Sequence, residues 1–140
     1  MKRVLEGGLE LDDDKSRIDR VEVHRFLSEE SYWAAGRSRE TVDRLIDSAA
    51  RVVGLYDGDR QIGFCRAASD GASIVYLADV YVLEAYRGRR LGEELVREMV
   101  ENGDLAHLRW ILHTTDMHPL YRKFGFGEPS SKVMERTPPA

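Results

Sequence analysis

One cysteine is all the chain contains. Cys65 sits among apolar neighbours in Ile62-Gly63-Phe64-Cys65, so neither a disulfide framework nor a cysteine-based metal cluster can form within one chain. No apolar run approaches the roughly 20 residues that cross a bilayer, and the Met1-Lys2-Arg3 start has no apolar stretch behind it to make a signal peptide. A soluble protein of the reducing cytoplasm is expected. Positive charge is not in excess either: 21 Lys and Arg stand against 25 Asp and Glu, a formal net charge of -4. Broad capture of nucleic acid needs a basic domain, so neither nucleic acid nor membrane is an expected partner. Repeats, low-complexity blocks and Pro/Ser-rich linkers are absent as well. The 140 residues are therefore expected to form one domain, 1–140, with 137–140 fraying at Pro138-Pro139-Ala140.

What is present is a sequence of alternating element signals. Ser16-Arg17-Ile18-Asp19 resembles a helix start, with Val23, Phe26 and Leu27 at helical spacing, which predicts a first helix near 16–29. After the loop Ser31-Tyr32-Trp33-Ala34-Ala35-Gly36-Arg37, Ser38 can cap a second helix carrying Val42, Leu45, Ile46 and Ala49 on one stripe. The runs 52–56 and 61–65 flank Asp57-Gly58-Asp59-Arg60 and read as a hairpin. A third run, 74–83, is rich in β-branched and aromatic residues. The next helix buries Leu91, Leu95, Val96 and Met99 and is expected to end left-handed at Asn102-Gly103, before a strand at 108–114 and a short helix at 117–124. A last strand would follow. The hairpin implies antiparallel neighbours and the strand–helix–strand unit a right-handed parallel crossover, so the fold class is α/β (α+β) with a mixed sheet.

The chemistry begins at Tyr86-Arg87-Gly88-Arg89-Arg90-Leu91-Gly92. A strand turning tightly into a helix offers free backbone N–H groups and the positive end of the helix dipole, which suits an anion such as a phosphate. Three guanidinium groups and two glycines strengthen the offer. Such turns also occur as solvated surface features, and a P-loop is absent. The second half of the pattern is Thr114-Thr115-Asp116-Met117-His118-Pro119-Leu120-Tyr121-Arg122-Lys123-Phe124-Gly125-Phe126, one helix and one strand downstream.

Together the two segments resemble the GNAT superfamily of acyl-CoA-dependent N-acetyltransferases. Arg87 and Gly92 match the ends of its (Q/R)-x-x-G-x-(G/A) pattern, and Leu120-Tyr121 with Gly125-Phe126 match its L-Y-x-x-x-G-F signature. Arg90 stands where the pattern has its first glycine, Thr114 where Asn is frequent and Met117 where Ala is frequent. The resemblance implies a mixed, mostly antiparallel sheet flanked by helices, with a central parallel pair of strands splayed to admit acetyl-CoA. It further implies that Val80, Tyr81 and Val82 pair through their backbone with the pantetheine arm. By the same resemblance Arg87, Gly88, Arg89, Arg90, Leu91, Gly92 and Glu93 hold the pyrophosphate, Thr114 offers its hydroxyl to the arm, and Tyr121 protonates the departing thiolate. The implied activity is transfer of an acetyl group to an amine of a small molecule or peptide by direct attack in a ternary complex. A silent acyl-CoA-binding or sensing module is the alternative.

An alkyl ammonium costs on the order of 4–5 kcal/mol to deprotonate at pH 7, so some group must take a proton. Asp79, an acid inside an apolar strand just before the expected splay, is either that base or a structural carboxylate. Asp116 and His118 follow as candidates, with Asp116 equally explained as the N-cap of the short helix. His24, His107 and His113 show no pairing that suggests metal, and no metal site is expected. Tyr32, Trp33 and Arg37 fall in the region that in this superfamily usually covers the acceptor. An Arg37 facing the acceptor would suit a carboxylate. Cys65 reads as core rather than nucleophile. The acceptor's identity and the oligomeric state, a homodimer included, stay open.

Overall fold

The computed structural model describes residues 1–139; of the tail expected to fray, Ala140 lies outside the described residues and 137–139 are irregular and exposed. Six strands form one sheet in the order β1-β2-β3-β4-β5-β6: β1 Lys2–Val4, β2 Glu10–Asp12, β3 Arg51–Asp57, β4 Arg60–Ser69, β5 Ile74–Val82 and β6 Arg109–Ile111. Every neighbouring pair is antiparallel except β5 and β6, which are parallel. Helix α3, Leu91–Glu101, makes that crossover and buries Leu91, Leu95, Val96 and Met99. No helix among the described residues is long and apolar enough to cross a membrane.

The N-terminal third departs most from its sequence pattern. A short hairpin, β1 with β2, precedes the helices. The single helix expected at 16–29 is split into a 3-10 turn at Lys15–Arg17, α1 at Arg20–Arg25 and a π-turn at Phe26–Glu30. Asp19 caps α1, accepting from the Glu22 N–H at 3.1 Å. Helix α2, Arg39–Ser48, starts as its sequence suggests, with Ser38 accepting from the Thr41 N–H.

The parallel pair sits at the sheet's edge, not its centre. The last strand expected after Gly125 does not form among the described residues, so β6 is the edge strand of the sheet. Nor does α3 end left-handed: Asn102 closes it at φ -111. Glycine at 103 answers a different need, because a Cβ there would lie 2.7 Å from Nη1 of Arg51. That arginine crosses from β3 to α3, donating to the Glu98 carbonyl at 2.8 Å, the Glu98 carboxylate at 3.2 Å and Asp13 at 3.2 Å. Buried Glu98 also accepts from Arg3 at 2.7 Å. Each charge in this network is paired, as burial requires.

Two irregularities open the sheet. On β5, Asp79 and Val80 together face Cys65 of β4, because Phe64 pairs with Tyr81 while Arg66 pairs with Ala78. This is a bulge whose first residue, Asp79, is left-handed at φ 55, a conformation Asp tolerates better than most side chains. The bulge shifts the side-chain phase, so that Tyr81 shares a face with Ala78 and stacks on Phe26, ring centroids 3.8 Å apart. The second irregularity is the splay: β5–β6 pairing stops at Tyr76 and Ile111, while β5 runs on to Val82.

Candidate functional site

At the end of β5 a 3-10 turn, Glu84–Tyr86, leads into the basic segment. Gly88 takes φ 84 and Arg90 φ 59, ψ 23, so the chain enters α3 through two left-handed residues. That is the physical content of a glycine at 90 in the pattern, and Arg90 holds the conformation at a steric cost. α1 and α2 carry side-chain caps, whereas no side chain caps α3. Its first internal bond runs from the Glu94 N–H to the Arg90 carbonyl, which leaves the N–H groups of Leu91, Gly92 and Glu93 to an outside acceptor. A Cβ built on Gly88 or Gly92 meets nothing within 4 Å, so open space lies over the turn. Arg87 does not point into that space with its Nε, which donates to the Val82 carbonyl at 3.0 Å and ties the turn to β5. Arg89 lies over the Tyr86 ring at 5.3 Å.

Downstream, α4 (His118–Arg122) ends in paired bonds from the Phe126 N–H to the Tyr121 carbonyl and from the Gly125 N–H to the Arg122 carbonyl, with Gly125 at φ 86. This is a Schellman cap. Phe126 then meets Tyr121 edge-on at 5.8 Å. The glycine and second aromatic of L-Y-x-x-x-G-F thus fix where Tyr121 stands. Burial pushes the Tyr121 phenol above its ordinary value, with Cys65, Tyr32 and Asp116 adding to the shift. It is therefore a proton donor at neutral pH. Asp116 does not cap α4: Met117 occupies that position without a side-chain bond, and the Met117 N–H is taken by the Thr114 hydroxyl at 3.0 Å. Thr114 thus uses one acceptor position locally, and its own O–H makes no hydrogen bond among the described residues.

At the bulge, Asp79 of β5 joins three chain segments, its own strand, β4 and the 31–37 loop. Its carboxylate accepts from Trp33 Nε1 at 2.9 Å, Arg37 Nη1 at 2.9 Å and Arg66 Nε at 2.6 Å, with its own side chain only 3% exposed. Tyr32 packs edge-on against Trp33 at 5.1 Å and stays exposed. The 31–37 loop is thus fastened to the bulge of β5 by Asp79. Of the other expected contacts, Val80 is half-buried, and Tyr81 and Val82 are buried, beside the opening between β5 and β6. Cys65 is in the core, and burial raises its thiol well above the usual range.

Comparison with known proteins then bears on what this arrangement is. A sequence model described as the acetyltransferase (GNAT) domain matches residues 48–128. A solved structure from Xanthomonas campestris pv. campestris, described as belonging to the GNAT family, is 36% identical, with a TM-score of 0.87 and 94% of each chain covered. The chain belongs to the GNAT acetyltransferase family. More distant members share the fold. A GNAT family acetyltransferase from Brucella melitensis, solved in complex with acetyl-CoA, has a TM-score of 0.66 at 20% identity, covering 86% of this chain and 83% of that one. Glucosamine-6-phosphate N-acetyltransferase from Arabidopsis thaliana has a TM-score of 0.61 at 14% identity, covering 91% and 97%. The curated proteins include no match.

Within this acetyltransferase, sequence reasoning missed Arg66, Tyr76 and the partners of His113. Arg66 had a signal: it is a charge inside the apolar run 61–68 of β4, as Asp79 is in β5. Tyr76 and His113 had none, because their 2.7 Å contact joins residues 37 apart. His118, weighed beside Asp116, makes no side-chain hydrogen bond among the described residues.

Proposed function

We propose that this protein transfers an acetyl group from acetyl-CoA to an amine of a small molecule or peptide by direct attack in a ternary complex. The observation that carries the reading is the uncapped start of α3, whose three N–H groups face unfilled space at Gly88 and Gly92. Leu91, Gly92 and Glu93 would hold the pyrophosphate by backbone, with Arg87 keeping the turn in place and Arg89 and Arg90 supplying charge. Val80, Tyr81 and Val82, unpaired on their β6 side, suit an extended arm laid in the splay, and the Thr114 hydroxyl is within the same stretch of chain as α4. When bound, acetyl-CoA supplies the thioester.

The chain's own groups do the rest. Tyr121 gives its hydroxyl proton to the departing thiolate as the new N–C bond forms and the C–S bond breaks. It is restored by the second proton the nitrogen sheds, so one acetyl group and one proton change places in all. Asp79, engaged by three donors, two of them guanidiniums, acts in this reading as the anchor of the 31–37 loop and not as the base. Two guanidiniums face that one carboxylate, which leaves a surplus positive charge under the loop. An acceptor bearing a carboxylate suits it.

The test is thiol release from acetyl-CoA with a panel of amines. Wild-type turnover, reduced about 100-fold in Tyr121→Phe with acetyl-CoA affinity unchanged, is the expected outcome. Tight acetyl-CoA binding without turnover against the panel would instead make the protein a silent binding module.

A further inference from the structure

Tyr76, His113 and Glu135 form a chain of contacts that the acetyl-transfer reading has not used. The Tyr76 hydroxyl lies 2.7 Å from His113 Nδ1, and His113 Nε2 bonds the carboxylate of Glu135, which arrives from the C-terminal tail. Among the described residues no other histidine ring bonds a side chain through either nitrogen. A carboxylate only accepts, so in the neutral ring Nε2 carries the proton and Nδ1 is the acceptor, with Tyr76 donating to it. In that state the donors run in one direction from Tyr76 through His113 to Glu135.

Its position is equally specific. Tyr76 is the last residue of β5 paired with β6, so it stands at the apex of the splay, where the two strands part. It shares the sheet face of Ala78 and Arg66, the face over which the 31–37 loop is anchored. Side by side with it, Arg66 and Asp79 contribute opposite charges, and Glu135 adds a third; burial comes first in holding the phenol above its ordinary value. A phenol so held passes a proton on without keeping the negative charge. Tyr76 is 37% exposed, open enough to meet an acceptor.

We infer that Tyr76, His113 and Glu135 are the relay that takes the proton from the acceptor ammonium, an inference that rests on the acetyl-transfer reading. The ammonium N–H donates to the Tyr76 oxygen while the Tyr76 hydroxyl proton moves to His113 Nδ1. The ammonium becomes a neutral amine, the imidazole an imidazolium, and Glu135 positions the ring and balances its charge. The proton then leaves from the exposed histidine to solvent.

The experiment measures kcat and KM against pH for wild type, Tyr76→Phe, His113→Gln and Glu135→Gln, with acetyl-CoA affinity followed separately by calorimetry. Both Tyr76→Phe and His113→Gln are expected to lower kcat about 100-fold near pH 7 and to leave acetyl-CoA affinity unchanged. Their rates should climb with pH where wild type has reached a plateau, and Glu135→Gln should show a smaller loss of the same form. An acceptor whose amine is already neutral at the assay pH should be nearly indifferent to His113→Gln. A purely structural contact would move KM or thermal stability and not the pH profile. Normal wild-type turnover with an unaltered profile in His113→Gln overturns the relay alone; wild type that binds acetyl-CoA and never releases thiol overturns the transfer reading and the relay with it.

Discussion

The turn into α3 and the bulge at Asp79 are built in opposite ways. The turn is backbone and empty space: two left-handed residues, an uncapped helix start and glycines with nothing over them. The bulge is side chains packed to saturation: Trp33, Arg37 and Arg66 converge on one buried carboxylate. The first offers donors that do not depend on residue identity, because backbone N–H groups are common to all residues but proline. The second depends on residue identity at every position, because each donor and the carboxylate are side-chain groups.

The largest expected effect comes from emptying the bulge. Asp79→Ala leaves two guanidiniums without their carboxylate and should cost about 3–5 kcal/mol, read by urea or thermal unfolding. Asp79→Asn, which keeps the left-handed preference and two polar contacts, should cost less. A stability loss below 1 kcal/mol for Asp79→Ala would show that the cluster is not what holds the loop.

At the turn the sign pattern reverses, since ligand binding should suffer and stability should not. Gly92→Val fills the space over α3 and is expected to raise the acetyl-CoA KM at least about tenfold, or about 1.4 kcal/mol, with the unfolding midpoint nearly unchanged. An unchanged KM would mean that the pyrophosphate lies elsewhere. Arg37→Met should raise KM for acceptors carrying a carboxylate and spare neutral amines, a split visible in a matched pair of substrates. Equal effects on both would remove the case for an acidic acceptor.

The smaller predictions concern strain. Gly125→Ala meets no neighbouring atom, so its cost is conformational, about 1 kcal/mol, and it should lower kcat as well because the Schellman cap positions Tyr121. Arg90→Gly should go the other way and stabilise by about 0.5–1 kcal/mol, by relieving a non-glycine residue at φ 59. Thermal unfolding of the two variants in parallel gives both signs in one experiment.

Local signals were legible where a residue's role is settled by its immediate neighbours. Ser38 announces α2, the 57–60 turn announces the β3–β4 hairpin, and Gly125-Phe126 announces the cap beneath Tyr121. The signals that failed were settled elsewhere in the chain. Val23, Phe26 and Leu27 keep helical spacing through 16–29, yet the backbone breaks there into three pieces. Gly103 reads as a helix terminator and is instead the floor under Arg51, which lies 52 positions earlier. Asp116 reads as a cap for α4, but the Thr114 hydroxyl takes the Met117 N–H.

By itself the sequence determined the family, the order of the central elements, the basic turn into α3 and the capped tyrosine, because each is written in residues that touch along the chain. Only the tertiary structure decided what Asp79 does, which arginines surround it, and that His113 stands between Tyr76 and Glu135. Those outcomes depend on a one-residue shift of phase at a β-bulge and on where β5 and β6 part. Neither leaves a local mark, because strand register is fixed by the partners a strand meets and not by the strand alone.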